Sequence, residues 1–381
     1  AYKRTTEDVN SLNEEAKESN MVFLGLIGMM DPPREEAIKS EEICKQVGIK
    51  TVMITGDHRL TAIAVAKEVG IFKDGDLVLT GEDLDKLSDE EFEKIVEKVT
   101  VYARVSPEHK LRIVKAWKKK GHIVAMTGDG VNDAPALKHA DIGVAMGMTG
   151  TEVSKEAADM VLADDNFATI VNAIELGRWI YDNIKKYLTY LLQANLVEIL
   201  MLSLAILFGF PMPLIPVQIL YVNLATDGLP ALALGVSPPD PDIMKRPPRD
   251  PKETIFTREV KSFLLRALIV GVPLLFWFFL VSLPNEELAR SRVFISFIFF
   301  ELTLALTCRS LKYTIFETRP HKFLLAAIFS QILLLPILIS FPLSRQALGI
   351  VEPDLTSFMW AIGISLITLA SIEGFKLLFR N

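Results

Sequence analysis

The chain has 381 residues, 50% of them hydrophobic and 23% charged, with 22 phenylalanines and a formal net charge of -6. That is too apolar for an average soluble protein and too charged for one wholly buried in a membrane, so two regimes must share the chain. The acidic balance argues against nucleic acid as a partner, and two cysteines, Cys44 and Cys308, offer no disulfide framework and fit a reducing compartment.

The opening run AYKRTTEDVNSLNEEAKESN lacks an apolar signal core and an initiator methionine, and reads as a start part-way through a longer protein. From Met21 to about Ala168, short apolar runs alternate with helical patterns, which predicts βαβ units around a parallel sheet. MVFLGLIGMM, KTVMIT and HIVAMT read as buried strands and IGVAM as a shorter one; helices are expected over Arg34 to Val47, Leu60 to Val69 and Pro107 to Lys120. The first three strands run into Asp31-Pro32-Pro33, Thr55-Gly56-Asp57 and Thr127-Gly128-Asp129. Ligands of open α/β sheets bind at the carboxyl ends of the strands, so these turns are the expected site. Thr and Gly offer a hydroxyl and close backbone amides to a phosphoryl group, and an Asp there can hold Mg²⁺. One Thr-Gly-Asp turn could equally be an ordinary strand-to-turn junction. TGDGVNDAPALKHADIGVAMG is far more specific, because Asp129, Asn132 and Asp133 cluster on a glycine-rich turn where a core has no use for three polar side chains.

After Asn166 a helical pattern continues from Thr169 to Phe208, with Gly177 its only interior glycine and no proline. Such a helix is about 60 Å long, far more than the roughly 30 Å hydrocarbon core of a bilayer. Its first half is amphipathic (Glu175, Arg178, Asp182, Lys185, Lys186) and its second half apolar, which predicts a stalk entering the membrane. Further apolar segments run over Leu214 to Gly235, Phe263 to Leu283, Val293 to Cys308, Phe323 to Phe341 and Phe358 to Phe379. The Val293 segment is short before its flanks are included. The loops Lys245 to Lys261 and Arg309 to Lys322 are rich in Lys and Arg, whereas Gly209 to Pro216 is charge-poor; Arg290 and Arg292 blur the contrast. The asymmetry predicts a cytoplasmic soluble half.

Within the apolar segments the polar residues are the informative ones. Asn195 and Glu198 share one helix face; Asn223, Thr226 and Asp227 follow at i, i+3 and i+4; Glu301 stands in FISFIFFELTLAL. Gly228 and Pro230 predict an unwound helix just after Asp227. Taken singly, Asn195 or Thr226 would serve as helix-packing glue and Glu301 could pair with a neighbour. As a set, carboxylate, amide and hydroxyl oxygens are hard-cation ligands suited to Ca²⁺, with none of the sulfur or imidazole a soft metal favours.

MITGDH, ARVSPEHK, TGDGVNDAPALK and VLADDNF, in that order, resemble the motifs of P-type ATPases, whose phosphorylation domain belongs to the haloacid-dehalogenase superfamily. The resemblance implies an α/β haloacid-dehalogenase-like (Rossmannoid) phosphorylation domain followed by an all-α membrane domain of six transmembrane helices. On that scheme residues 1–20 leave a missing nucleotide-binding domain, 21–168 are the C-terminal part of the phosphorylation domain, and 169–381 form the stalk and membrane helices (about 183–208, 214–235, 260–283, 291–309, 322–341 and 356–379). It implies that Thr55 and Gly56 contact an aspartyl phosphate and that Asp57 and Arg104 lie on the nucleotide side. Lys110 would neutralise phosphoryl charge, Asp129 ligate Mg²⁺, and Asn132 and Asp133 support phosphate and metal.

VNLATDGLPALALG followed by PPDPDIMKRPPR resembles the sixth membrane helix and following loop of sarco/endoplasmic-reticulum-type calcium pumps, and Asn195, Glu198, Asn223, Thr226, Asp227 and Glu301 match that group's ion ligands. The short Pro284 to Arg290 loop resembles bacterial members rather than the long animal version. The expected cofactors are Mg²⁺ and ATP, with Ca²⁺ as transported ion and protons counter-transported. The expected partners are the lipid bilayer, here a bacterial plasma membrane, and the missing N-terminal half of the pump. One departure stands out: the family's Asp-Lys-Thr-Gly-Thr sequence does not occur, and the nucleotide-binding domain, the actuator domain with its Thr-Gly-Glu loop and the first four membrane helices are expected to be missing. This chain alone is therefore expected to be inactive. The competing readings are a manganese or sodium pump, the non-catalytic half of a split transporter, and a stand-alone membrane-anchored phosphatase; the last lacks a nucleophilic aspartate.

Overall fold

A computed structural model describes residues 2–5, 14–27 and 32–378. The soluble half runs α1 (Glu14–Glu18), α2 (Glu35–Gln46), β1 (Met53–Ile54), α3 (Arg59–Val69), β2 (Leu77–Thr80), α4 (Gly81–Lys86), α5 (Asp89–Ile95), β3 (Val99–Ala103) and α6 (Pro107–Lys119). It continues through β4 (Ala125–Gly128), α7 (Ala134–His139), β5 (Ile142–Met146), α8 (Glu152–Ala157) and β6 (Met160–Leu162). All strand pairings are parallel, but they form two three-stranded sheets, β1-β3-β2 and β4-β5-β6, where one sheet is expected. Among the described residues β1 bonds only to β3 and β4 only to β5. β3 is buried along its whole length, against Leu84, Phe92, Ile113 and Trp117 on one side and Ala62 and Ala66 on the other.

Local sequence explains where these helices begin. Ser106 accepts from His109 N while His109 Nδ1 accepts from Ser106 N (3.0 Å), and Pro107 occupies the first turn of α6, where its missing N–H costs nothing. Thr80 with Asp83 and Ser88 with Glu91 close the same reciprocal cap on α4 and α5.

The run MVFLGLIGMM departs from expectation. Over residues 21–27 it forms no strand, only one antiparallel bridge between Val22 and Tyr2, and Leu26 and Ile27 are 92% and 95% exposed. Apolar composition does not make a strand without a neighbouring edge to bond, and no described strand pairs with this run beyond that bridge. Residues 28–31, including Asp31, lie outside the described residues.

The helical half opens with α9 (Phe167–Leu207), 41 residues long, whose Asn166 side chain accepts from Ala168 N (2.9 Å). Then come α10 (Pro216–Tyr221), a π-helical turn (Val222–Thr226), α11 (Gly228–Gly235), α12 (Arg258–Ser282), α13 (Glu286–Thr307), α14 (Lys322–Ser340), α15 (Pro342–Leu348) and α16 (Leu355–Leu378). Among the described residues five helices are long and apolar enough to cross a membrane: α9, the continuous Pro216–Gly235 segment, α12, α14 and α16. The sixth expected crossing, α13, falls outside that set because Arg290, Arg292 and Glu301 interrupt its apolar run. It is nonetheless buried along most of its length among α9, α12 and α16.

The expected unwinding at Gly228–Pro230 does not occur either. The chain stays helical through Pro230, with Ala231 N bonding Asp227 O (3.0 Å). The irregularity sits one turn earlier: Asp227 N bonds Val222 O (3.0 Å), five residues back, and widens the helix at Asn223 and Thr226.

Gly271 sets how closely α12 approaches α13, since a Cβ there would collide with the Phe300 ring. Gly271→Ala is expected to destabilise the bundle by about 1–3 kcal/mol, read as a lower melting midpoint in detergent.

Candidate functional site

Two constellations emerge. The first lies where β1 and β4 end. Asp133, 4% exposed, accepts from Lys110 Nζ through Oδ1 (2.6 Å) and from Asp129 N (3.3 Å) and Gly130 N (3.1 Å) through Oδ2. One carboxylate thus folds the Thr127-Gly128-Asp129-Gly130 turn and fixes the lysine on α6. Gly128 is required here, because a Cβ would lie 2.5 Å from that of Asp133. The turn is held from behind as well: Asp129 O accepts from Thr151 N (2.9 Å) and Ser154 Oγ (3.0 Å). The Asp129 side chain remains exposed, as does Asn132.

At the end of β1, the Thr55 hydroxyl accepts from Asp57 N (3.1 Å). The following strand end locks against it, with Arg104 N bonding Asp57 O (3.1 Å) and Val105 N bonding Thr55 O (3.4 Å). Arg104 takes φ 49°, a left-handed conformation that costs an L-residue roughly 1–2 kcal/mol. Gly56, Asp57 and Arg104 are exposed. Thr55, Gly56, Asp57 and Arg104 therefore form one group and Lys110, Asp129 and Asp133 another. They are joined through the short segment 105–110, and among the described residues no hydrogen bond or ion pair links their side chains.

The second constellation is in the helical half. Glu301 on α13 is fully buried, and neither carboxylate oxygen has a hydrogen-bond partner. Asp227, 1% exposed, accepts from the Tyr190 hydroxyl through Oδ1 (2.7 Å) while Oδ2 is unpartnered, and so is the buried Thr226 hydroxyl. Glu198 receives Asn223 Nδ2 at 3.4 Å. Asp227, Glu198 and Glu301 lie within electrostatic reach of one another. The six expected ligands thus stand on α9, the π turn and its C-terminal flank, and α13, with Asn223 bonded to Glu198 and the three carboxylates within electrostatic reach. Asn195 is the looser one: its amide donates to Leu191 O of its own helix (2.8 Å). Asn223 is exposed, which leaves its flank of the cluster open.

Buried oxygens without donors are costly, and Thr226, Asp227 and Glu301 all carry them; among the described residues no three His, Cys, Asp or Glu side chains already stand close enough to form a metal-binding group. Tyr190 was not anticipated, although it stands two turns before Glu198 on α9. A second group escaped the sequence altogether. Lys186 and Arg309 pair with buried Asp240 (3.5 and 3.3 Å), and Arg246 pairs with Asp182 (2.6 Å), which fastens α9 to the 236–257 loop. In that loop burial pushes Asp242 upward, but hydrogen bonds and charge from Arg246 and Lys312 win and hold its carboxyl far below the usual range.

A family profile described as cation transporting ATPase, C-terminus, matches residues 211–378, and one described as haloacid dehalogenase-like hydrolase matches residues 3–141. A calcium-transporting ATPase of Bacillus subtilis (strain 168) is 46% identical over 366 residues, covering 94% of this chain and 41% of the relative. Calcium-transporting ATPase 1 of Bacillus cereus (strain ATCC 10987 / NRS 248) is 44% identical, covering all of this chain and 44% of the relative. The human calcium-transporting ATPase type 2C member 1 is 43% identical over 300 residues, 78% of this chain and 33% of the relative. Over most of its length the chain is thus similar to the C-terminal parts of calcium-transporting ATPases. It spans less than half the length of these curated relatives. The haloacid-dehalogenase-like character of the soluble half agrees with its parallel sheets and with the position of Thr55, Asp57 and Asp129 at strand ends.

Proposed function

We propose that this chain is the ion-binding and phosphorylation-domain portion of an ATP-driven calcium pump that works through an aspartyl-phosphate intermediate. Glu301 carries the reading: a fully buried carboxylate with two unpartnered oxygens, beside Asp227 and Glu198, is intelligible as a ligand for a hard cation. Glu198, Asn195, Asn223, Thr226 and Asp227 would complete its shell. When Ca²⁺ leaves, protons would take its place, because uncompensated buried charge is costly. In the soluble half, Lys110 would meet phosphoryl charge, Thr55 and Gly56 would cradle the phosphate, and Asn132 would face it from the opposite turn. Asp57 and Arg104 would border the nucleotide.

Mg²⁺ suits the exposed carboxylate of Asp129, a hard oxygen donor on a rigid turn, with Asp133 behind it and the remaining positions left to water and phosphate. Bound there, it would supply charge neutralisation to phosphoryl transfer. α13 would be the sixth crossing, with the soluble half cytoplasmic and the membrane a bacterial plasma membrane. The nucleophile, ATP pocket and actuator would come from the other half of the pump.

The decisive experiment is acid-stable phosphoenzyme formation from labelled ATP in membranes carrying this chain with an N-terminal half, in calcium or chelator. Label is expected only with both halves and calcium, and Glu301→Ala is expected to raise the calcium needed for half-maximal label at least tenfold. Label stimulated by Na⁺ alone would overturn calcium, and label on this chain alone would overturn the division of labour. Lost expression of Glu301→Ala would instead assign Glu301 to packing.

A further inference from the structure

A cavity of about 1350 Å³ opens where α9, the 236–257 loop, α12 and α16 meet. Ten of its lining residues are Lys or Arg and five are Asp or Glu. Three of the five carboxylates are in ion pairs: Asp182 and Asp240 with Lys185, Lys186, Arg246 and Arg309, and Glu259 with Lys185. Arg178 donates to two backbone carbonyls, of Ile243 and Arg246, and Arg249 to the Tyr181 hydroxyl and Glu253 O. Among the described residues, neither they nor Lys252, Arg258 and Arg266 have a carboxylate partner. The cavity therefore holds excess positive charge.

Arg266 is the telling member. It stands in the third turn of α12, its guanidinium laid over the Phe375 ring of α16 at 4.1 Å, with its Nε buried and without a hydrogen-bond partner. A stacked, half-buried guanidinium keeps its fork free for a planar or tetrahedral anion. Next to it the surface turns apolar: Leu265 and Ile269 on α12 and Leu377 on α16 are all exposed. A charged cavity bordered by exposed apolar helix faces fits an amphiphile whose head is an anion and whose tail is hydrocarbon.

We infer that this cavity is a binding site for the phosphate headgroup of an anionic phospholipid, with Arg266 as its anchor and the acyl chains lying on Leu265, Ile269 and Leu377. The inference takes only membrane embedding from the preceding section and needs neither calcium nor ATP. The phosphodiester would receive N–H donors from Arg266 and, at the cavity mouth, charge from Arg258 and Lys252.

The test uses the whole 381-residue chain purified in detergent and offered phosphatidylglycerol or phosphatidylcholine with the same acyl chains, or inorganic phosphate. Lipid retained after washing is measured by phosphorus assay or native mass spectrometry. Preferential retention of phosphatidylglycerol is expected, and Arg266→Gln should lower it about tenfold, the worth of one or more charge-assisted hydrogen bonds. Inorganic phosphate should compete poorly. Equal retention of phosphatidylcholine, or undiminished retention by Arg266→Gln, would overturn the site; full competition by inorganic phosphate would reassign it to a soluble phosphate. Should Arg266→Gln not fold, the double variant Arg258→Gln with Lys252→Gln alters exposed residues only. It should lower retention several-fold, and no change would sink the proposal.

Discussion

Asp227→Asn should remove calcium-dependent phosphorylation from the two-part pump while leaving the helical bundle folded. The amide keeps the shape of the carboxylate and can still accept from the Tyr190 hydroxyl, so the contact that seats residue 227 on α9 survives. What disappears is a negative charge among oxygens that have no other positive partner. Breaking a buried charge pair by neutralising one member costs about 3–5 kcal/mol, which corresponds to a loss of roughly two to four orders of magnitude in calcium affinity. The measurement is the calcium concentration for half-maximal phosphoenzyme, run beside a melting curve without calcium. The melting point should stay level or rise, since a neutral amide is easier to bury than an unpaired carboxylate. Unchanged calcium activation would refute the cluster as the ion site.

Asp133→Ala should be more damaging to the soluble half than any other single truncation at the strand ends. Its carboxylate accepts from two backbone amides and the Lys110 ammonium, and none of the three has another acceptor assigned in the structure. Removal leaves a gap beneath Gly128 and two turn amides without a partner. A stability loss of about 2–4 kcal/mol is expected, below the extreme for a sealed site because Lys110 keeps some access to water. Hydrogen exchange offers the specific readout: the amides of Asp129 and Gly130 should lose protection before the rest of β4. Phosphoenzyme formation in the two-part assay should vanish with it. Asp133→Asn, which keeps one acceptor oxygen, should recover most of the stability but little of the phosphorylation. If Asp133→Ala leaves those amides protected, the turn is held by something other than this carboxylate.

The parts of the molecule that the sequence announces are those whose signal is local. The 41-residue helix is continuous because nothing between Phe167 and Leu207 breaks it, and its observed limits differ from the expected ones by only a few residues. Glu198, Asp227 and Glu301 stand out because ionisable groups in apolar helices have few innocent explanations. β3 was hidden for the opposite reason. Its residues Val99–Ala103 follow directly on DEEFEKI and VEK, a helical pattern with no turn residue to mark the change of period. The run at Met21 misled because apolar content reports a wish for burial and says nothing about which edge would grant it. Tyr190 and the Lys186–Asp240–Arg309 network depend on contacts between residues 37 to 69 positions apart, which no single window can display.

The fastening of α9 near its middle has a mechanical consequence. Its bonded side chains include Arg178, Asp182, Lys186, Tyr190 and Gln193, and these bracket the centre of a rod about 60 Å long. With its fulcrum there, the two arms are nearly equal. A tilt of about 10° would sweep each end through about 5 Å in opposite senses. Glu198 sits about 18 Å from Lys186 along the axis, so even 3° displaces it by about 1 Å. Calcium–oxygen distances range over only about 0.3 Å. If Glu198 holds the proposed cation, a swing of that size would be enough to take its oxygen out of the ion's reach.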